Sequence, residues 1–188
     1  MAGELWLIRH GETAWSLSGA HTGRTDLPLT AEGEKKAAAL RAKLAGRDFK
    51  LVLTSPLQRA RRTCELAGFG AVAHIEPNLS EWDYGDYEGR SSADIHRQRP
   101  GWSPFNDGFP GGETIEQVAV RARAVIARAL EANGDVALFG HGHILRILTA
   151  CWLEMTPDAA RSFFLGTAGI SALGYEHDTH VIVRWNLP

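Results

Sequence analysis

Apolar residues along the chain follow two alternating rhythms. Short runs with few polar interruptions, at residues 4 to 9, 50 to 54, 72 to 75 and 135 to 140, have the length and content of buried strands. Between them lie stretches in which apolar residues recur every three or four positions, the spacing of a helix with one buried face. Thr30 opens the first of these, with Glu32 and Glu34 in its first turn and Ala37, Leu40 and Leu44 on one side. Pro56 opens the second, where its missing N–H costs nothing, and Leu57, Ala60, Cys64 and Ala67 form the stripe. A long helix is predicted over about residues 113 to 132, with Ile115, Val118, Ala122, Val125, Ala129 and Leu130 inward. Residues 143 to 153 predict another and 157 to 165 a shorter one, while 170 to 176 and 180 to 185 read as a hairpin about His177-Asp178.

From Glu81 to Gly112 no period persists. Segments such as WDYGDYEG and GWSPFNDGFPGG scatter glycine, proline and aromatics, which predicts a long functional loop region. Strands that alternate with helices predict a mostly parallel sheet covered on both faces, and a chain of 188 residues is sized for one domain over 1 to 188.

Composition adds exclusions more than assignments. With 44% hydrophobic and 22% charged residues the chain can bury a core. A formal net charge of −2 gives no field that would draw it to nucleic acid or an anionic membrane, so partners are recognised locally. Its twenty basic residues are mostly arginine, as phosphate recognition would favour and as base composition alone would also produce. Arg61 and Arg62 are read as surface residues. Cys64 and Cys151 both fall in helical stretches, which predicts free thiols in a reducing compartment; without a leader-like start or an apolar run of about 18 residues, a cytoplasmic protein is expected.

In open α/β sheets, ligands bind beyond the carboxyl ends of the parallel strands. Three predicted strands end in chemistry there: Arg9-His10-Gly11, then Thr54-Ser55 with Arg59 one turn on, then His141-Gly142-His143. Guanidinium groups present paired donors that match phosphate oxygens and stay charged at working pH. A neutral imidazole among them can attack phosphorus, and neighbouring cations disfavour its protonation. The same cations can spread transition-state charge, so no metal and no cofactor is expected; the His141-x-His143 spacing lacks a third ligand at clear spacing. A leaving alkoxide needs a proton, and Glu81, Asp83, Asp86 and Glu88 are the nearby carboxylic acids in sequence.

The segments LIRHGETAW, TGRTDLPLT, SPLQRARRT, EWDYGDYEG, PGGET and HGHILRIL stand in the order and near the spacing of the histidine phosphatase family, which the chain resembles over almost its whole length. That resemblance implies a three-layer α/β/α sandwich of the phosphoglycerate mutase-like type. It implies His10 as nucleophile, Glu81 as proton donor, and Arg9, Arg59 and His141 around the phosphate. Ser16, Thr22, Gly23, Tyr84 and Gly142 occupy positions that contact phosphate or substrate in relatives. Mutases of the family carry Asn and Arg where this chain has Ser16 and Ala20, and further cations after the proton donor where it has aromatics. The departures favour a phosphatase, of a branch resembling sedoheptulose-1,7-bisphosphatase-type enzymes, over a mutase or a non-catalytic phosphoester-binding module. The implied partner is a small phosphorylated molecule, a sugar phosphate or bisphosphate; a homo-oligomer is open. Trp102 and Phe105 are expected at the pocket mouth. His21, His74, His96, His177 and His180 are read as structural or exposed.

Overall fold

In the computed structural model residues 3 to 187 are described; Met1, Ala2 and Pro188, which the one-domain reading includes, lie outside them. Six strands form one sheet: β1 (Leu5–Arg9), β2 (Leu51–Thr54), β3 (Ala73–Ile75), β4 (Val136–Gly140), β5 (Ile170–Glu176) and β6 (Thr179–Leu187), in the spatial order β3-β2-β4-β1-β5-β6. β3, β2, β4 and β1 run parallel, β5 is antiparallel to β1, and β6 closes the edge as the predicted hairpin.

Successive side chains of β1 point to opposite faces, and each face has its own core. Leu5 and Leu7 pack with α6 (Ile115–Leu130) and α7 (Gly142–Trp152), whereas Trp6 and Ile8 pack with α2 (Ala31–Lys43) and α3 (Gln58–Leu66). Helices therefore cover both faces, as a fully buried parallel strand requires. Local chemistry sets the helix starts. The hydroxyl of Thr30 accepts from the Gly33 N–H, and Thr114 and Gln117 form a reciprocal capping box at α6. α3 has no cap of its own; the Asp26 carboxylate, from a distant loop, accepts from the Gln58 N–H at 2.8 Å.

Two expectations need correction, and one element was not expected. The segment from Glu81 to Gly112 is a packed substructure, with short helices α4 (Ser92–Gln98) and α5 (Pro104–Asp107) and buried Tyr84, Tyr87, Ile95, Trp102, Phe105 and Phe109. Its aromatics pack by ring contact, which needs no sequence period. The stretch expected as a helix to Leu165 is a 3-10 turn, Pro157–Ser162. A five-residue helix α1 (Ala14–Ser18) was too short to show a periodic stripe.

Candidate active site

β1, β2 and β4 are adjacent and parallel, with Arg9 opposite Gly140 and Thr54 opposite Phe139. The next residue of each strand, His10, Ser55 and His141, therefore emerges at one end of the sheet. The His10 N–H donates to the Gly140 carbonyl at 3.0 Å and the Ser55 N–H to the Phe139 carbonyl at 2.9 Å, which extends the ladder one step into the site.

Nδ1 of His10 lies 2.7 Å from the Gly11 carbonyl. A carbonyl only accepts, so Nδ1 carries the proton and Nε2 keeps its lone pair. Burial, then Arg9, then Arg59 hold the imidazole well below its usual 6.5, while the bond to Gly11 acts weakly the other way. His141 is 5.1 Å from it between ring centroids. Nδ1 of His141 accepts from Nε of Arg59 at 3.1 Å, so its Nε2 donates to the Ser55 hydroxyl at 2.7 Å. His141 is also held well below 6.5 by burial, then by Arg59.

Arg59 gives three more of its donors to the backbone: Nη1 to the Thr25 carbonyl at 2.9 Å, and Nη2 to those of Thr22 and Gly23 at 3.0 and 2.9 Å. Arg9 is placed differently. Its Nη1 donates to the Leu165 carbonyl at 2.6 Å, while its Nε is buried without a protein partner. Its guanidinium lies over Gly142, where a Cβ would come within 3.4 Å of Cζ and Nε; the absent side chain makes room for the cation.

Above these residues is a pocket of about 190 Å³. Of the expected site residues, Arg9, His10, Ser16, Thr22, Glu81, Tyr84 and Gly142 line it. Arg59 and His141 do not: both have no exposed surface, and each of their side-chain nitrogens has a protein partner. A buried guanidinium must find partners for its donors, and three carbonyls supply them. Gly23 also stands outside the pocket wall, because the Glu88 carboxylate takes its N–H. Ser16 reaches the wall with its hydroxyl tied to Thr13 in the capping box of α1.

Glu81 sits at the N-terminus of α7. Its Oε1 accepts from the N–H groups of Trp82 and Ile144 at 3.0 and 2.9 Å, and its Oε2 from that of His143 at 3.0 Å. An acid at this end complements the helix dipole. Nearby, the Tyr84 hydroxyl is 2.5 Å from Nδ1 of His143. Burial, then Glu81, push the phenol well above 10, and burial, then Arg146, hold His143 well below 6.5; Tyr84 is the donor and His143 a neutral acceptor. The two imidazoles of His141-x-His143 thus face different partners.

His21 is the residue that sequence reasoning missed. It lines the pocket against Tyr84 and Phe109, at 5.0 and 5.4 Å between ring centroids, and burial holds it down to about 4. One signal pointed to it: it directly precedes Thr22, already expected at the substrate. Trp102 and Phe105 stand behind this wall rather than at the mouth, with only 4% and 8% of their surface exposed. Trp102 meets His21 edge-on at 5.7 Å and donates from Nε1 to the Gly108 carbonyl. Phe105 carries Arg146 over its ring at 4.9 Å, and Arg146, with the exposed Phe164, completes the outer rim.

Comparison with known proteins agrees in sequence and in shape. The model of the histidine phosphatase superfamily (branch 1) matches residues 5–188. An acid phosphatase of Mycobacterium tuberculosis is 39% identical, over 92% of this chain and 87% of its own. The sedoheptulose 1,7-bisphosphatase of Saccharomyces cerevisiae is 34% identical, over 79% of this chain and 67% of its own. The solved structure of an open reading frame product from Mycobacterium tuberculosis superposes with a TM-score of 0.94 at 35% identity, covering 98% of this chain and 97% of that one.

Proposed function

The chain belongs to the histidine phosphatase superfamily, branch 1, and on that premise we propose that it hydrolyses small phosphomonoesters through a phosphohistidine at His10. The observation that carries the reading is the state of His10: its Nδ1 proton is held by the Gly11 carbonyl, so a neutral Nε2 is available beside the unpartnered Nε–H of Arg9. In the first step the Nε2 lone pair forms the N–P bond as the ester P–O bond breaks, and the leaving oxygen takes a proton from the Glu81 carboxyl, whose resulting anion the N–H groups of Trp82, His143 and Ile144 stabilise. In the second, water attacks phosphorus, the N–P bond breaks, and the Glu81 carboxylate takes the proton of that water. Each cycle returns Glu81 to the acid form the next ester needs. Arg9 neutralises charge on the transferring phosphoryl oxygens, and Arg59, bonded to His141, adds its field.

The side of the outer wall opposite the Arg146 rim supports hydrolysis over retention of a bisphosphate. From Ser16 to Thr22 it presents Ser16, Gly19, Ala20, His21 and Thr22, without a formal charge while His21 is neutral. The relatives' names point to small phosphorylated substrates, and for this chain we favour sugar phosphates. The test is phosphate release from a panel of sugar phosphates, bisphosphates and an aryl phosphate with chelator present, with acid-stable against acid-labile label separating the phosphohistidine. Labile phosphate on the wild type and none on His10→Ala is the expected result. Interconversion of phosphoglycerates faster than release would move the assignment to a mutase.

A further inference from the structure

Resting on the phosphohistidine reading, we propose that Glu88, which lies outside the pocket, is a positioning residue that sets the Arg59 guanidinium through the Thr22–Thr25 segment. Glu88 Oε1 accepts from the N–H groups of Gly23 and Thr25 at 2.9 and 3.0 Å, and Oε2 lies 3.0 Å from the Gly23 nitrogen. From the other side, Arg59 donates to the carbonyls of Thr22, Gly23 and Thr25. The backbone segment is held between an anion and a cation.

One peptide group joins the two directly. The Thr22 carbonyl and the Gly23 N–H belong to the same amide: Arg59 donates to its oxygen and Glu88 accepts from its nitrogen. Hydrogen bonds in such a chain polarise one another, so each strengthens the next. Beyond Arg59 the chain continues through Nε to Nδ1 of His141 and through Nε2 to Ser55. Glycine is required at the join, since a Cβ at Gly23 would lie 2.7 Å from Glu88 Oε2 and 2.6 Å from the Trp82 carbonyl. Both oxygens of Glu88 turn toward this segment, which removes it from the proton-donor candidates. The Leu27 N–H also donates to the Thr25 carbonyl and Arg24 pairs with Asp83, but only Glu88 takes the N–H groups of Gly23 and Thr25 from the side opposite Arg59, so its loss loosens the carbonyls that aim the guanidinium.

Phosphate release and inhibition by orthovanadate, which takes the five-coordinate geometry of the transferring phosphoryl group, read this out in wild type, Glu88→Gln, Arg59→Lys and the double variant. Glu88→Gln is expected to lower kcat about tenfold to a hundredfold, as small misplacements at a reacting centre do, with KM changed less than about threefold and vanadate binding weakened in parallel. In the Arg59→Lys background the same change should cost almost nothing, the signature of two residues acting as one. Glu88→Asp, which keeps the charge and withdraws the oxygens, should fall between. Unchanged kcat in Glu88→Gln, additive losses in the double variant, or unweakened vanadate would overturn the proposal, and so would failure of both Glu88 variants to fold. If wild type turned over no ester, the phosphatase reading would fall, while vanadate binding would still report on Glu88.

Discussion

The inner and outer ends of the pocket are built by opposite means. At the inner end, backbone does the placing: three parallel strands deliver His10, Ser55 and His141 side by side, and carbonyls of Gly11, Thr22, Gly23 and Thr25 take the protons of His10 and Arg59. At the outer end, side chains do it: Tyr84, His21, Phe109 and Trp102 hold one another ring to ring, with Phe164 exposed at the rim. Hydrogen bonds to backbone leave little freedom, whereas ring contacts tolerate many arrangements. The inner end is thereby fixed by main chain while the outer end is open to change by substitution of its side chains.

Several variants separate the two ends. His10→Ala strikes the inner end hardest: turnover should fall at least about a thousandfold if His10 is the nucleophile proposed, with the melting temperature unchanged or raised. If a His10→Ala protein turned over at wild-type rate, the contrast between the ends would collapse. Arg59→Leu comes next, since it strands three carbonyls and a histidine nitrogen in the interior; a loss of about 3 to 5 kcal/mol in denaturant unfolding is expected, with activity lost alongside. Trp102→Ala, in the outer wall, should cost about 3 kcal/mol or more from the cavity it leaves, yet raise KM more than it lowers kcat.

Protonation sharpens the contrast more gently. The proposed attack needs a neutral His10, whose proton affinity is depressed, so kcat/KM should hold level as pH falls through 6.5 and drop only below it. Arg9→Gln removes one of the cations responsible, and the acid limb should move up toward 6.5. In the outer wall His21 binds its proton only near pH 4 when folded but near 6.5 when unfolded, so stability is lost as pH falls between those values, and His21→Phe should flatten that slope. The smallest effect is expected from Phe164→Ala: stability within about 0.5 kcal/mol of wild type, and a shift in KM that differs from one ester to another.

The same division explains what was legible in the sequence. Strand tips carry their chemistry on consecutive residues, so Arg9-His10-Gly11 and His141-Gly142-His143 were visible as soon as the parallel sheet was, and the six ordered segments named the family. Periodicity placed α2, α6 and α7 to within a few residues. The outer wall had no such signal. His21 and Trp102 meet across 81 positions of chain, and no spacing rule connects them. Arg59 was legible as a site residue but its burial was not, because the acceptors that bury it are main-chain carbonyls, which every residue has and no sequence displays.

β1 has a further consequence, for the birth of the enzyme. Its neighbours in the sheet are β4 and β5, which begin at Val136 and Ile170. The strand that carries His10 therefore leaves the ribosome long before either partner exists, and its contacts are among the most distant in the chain. Pairings of this kind close late and slowly. His10 is made early and seated late: the Gly140 carbonyl that accepts its N–H and the His141 ring 5.1 Å from its own exist only after about three quarters of the protein has been synthesised.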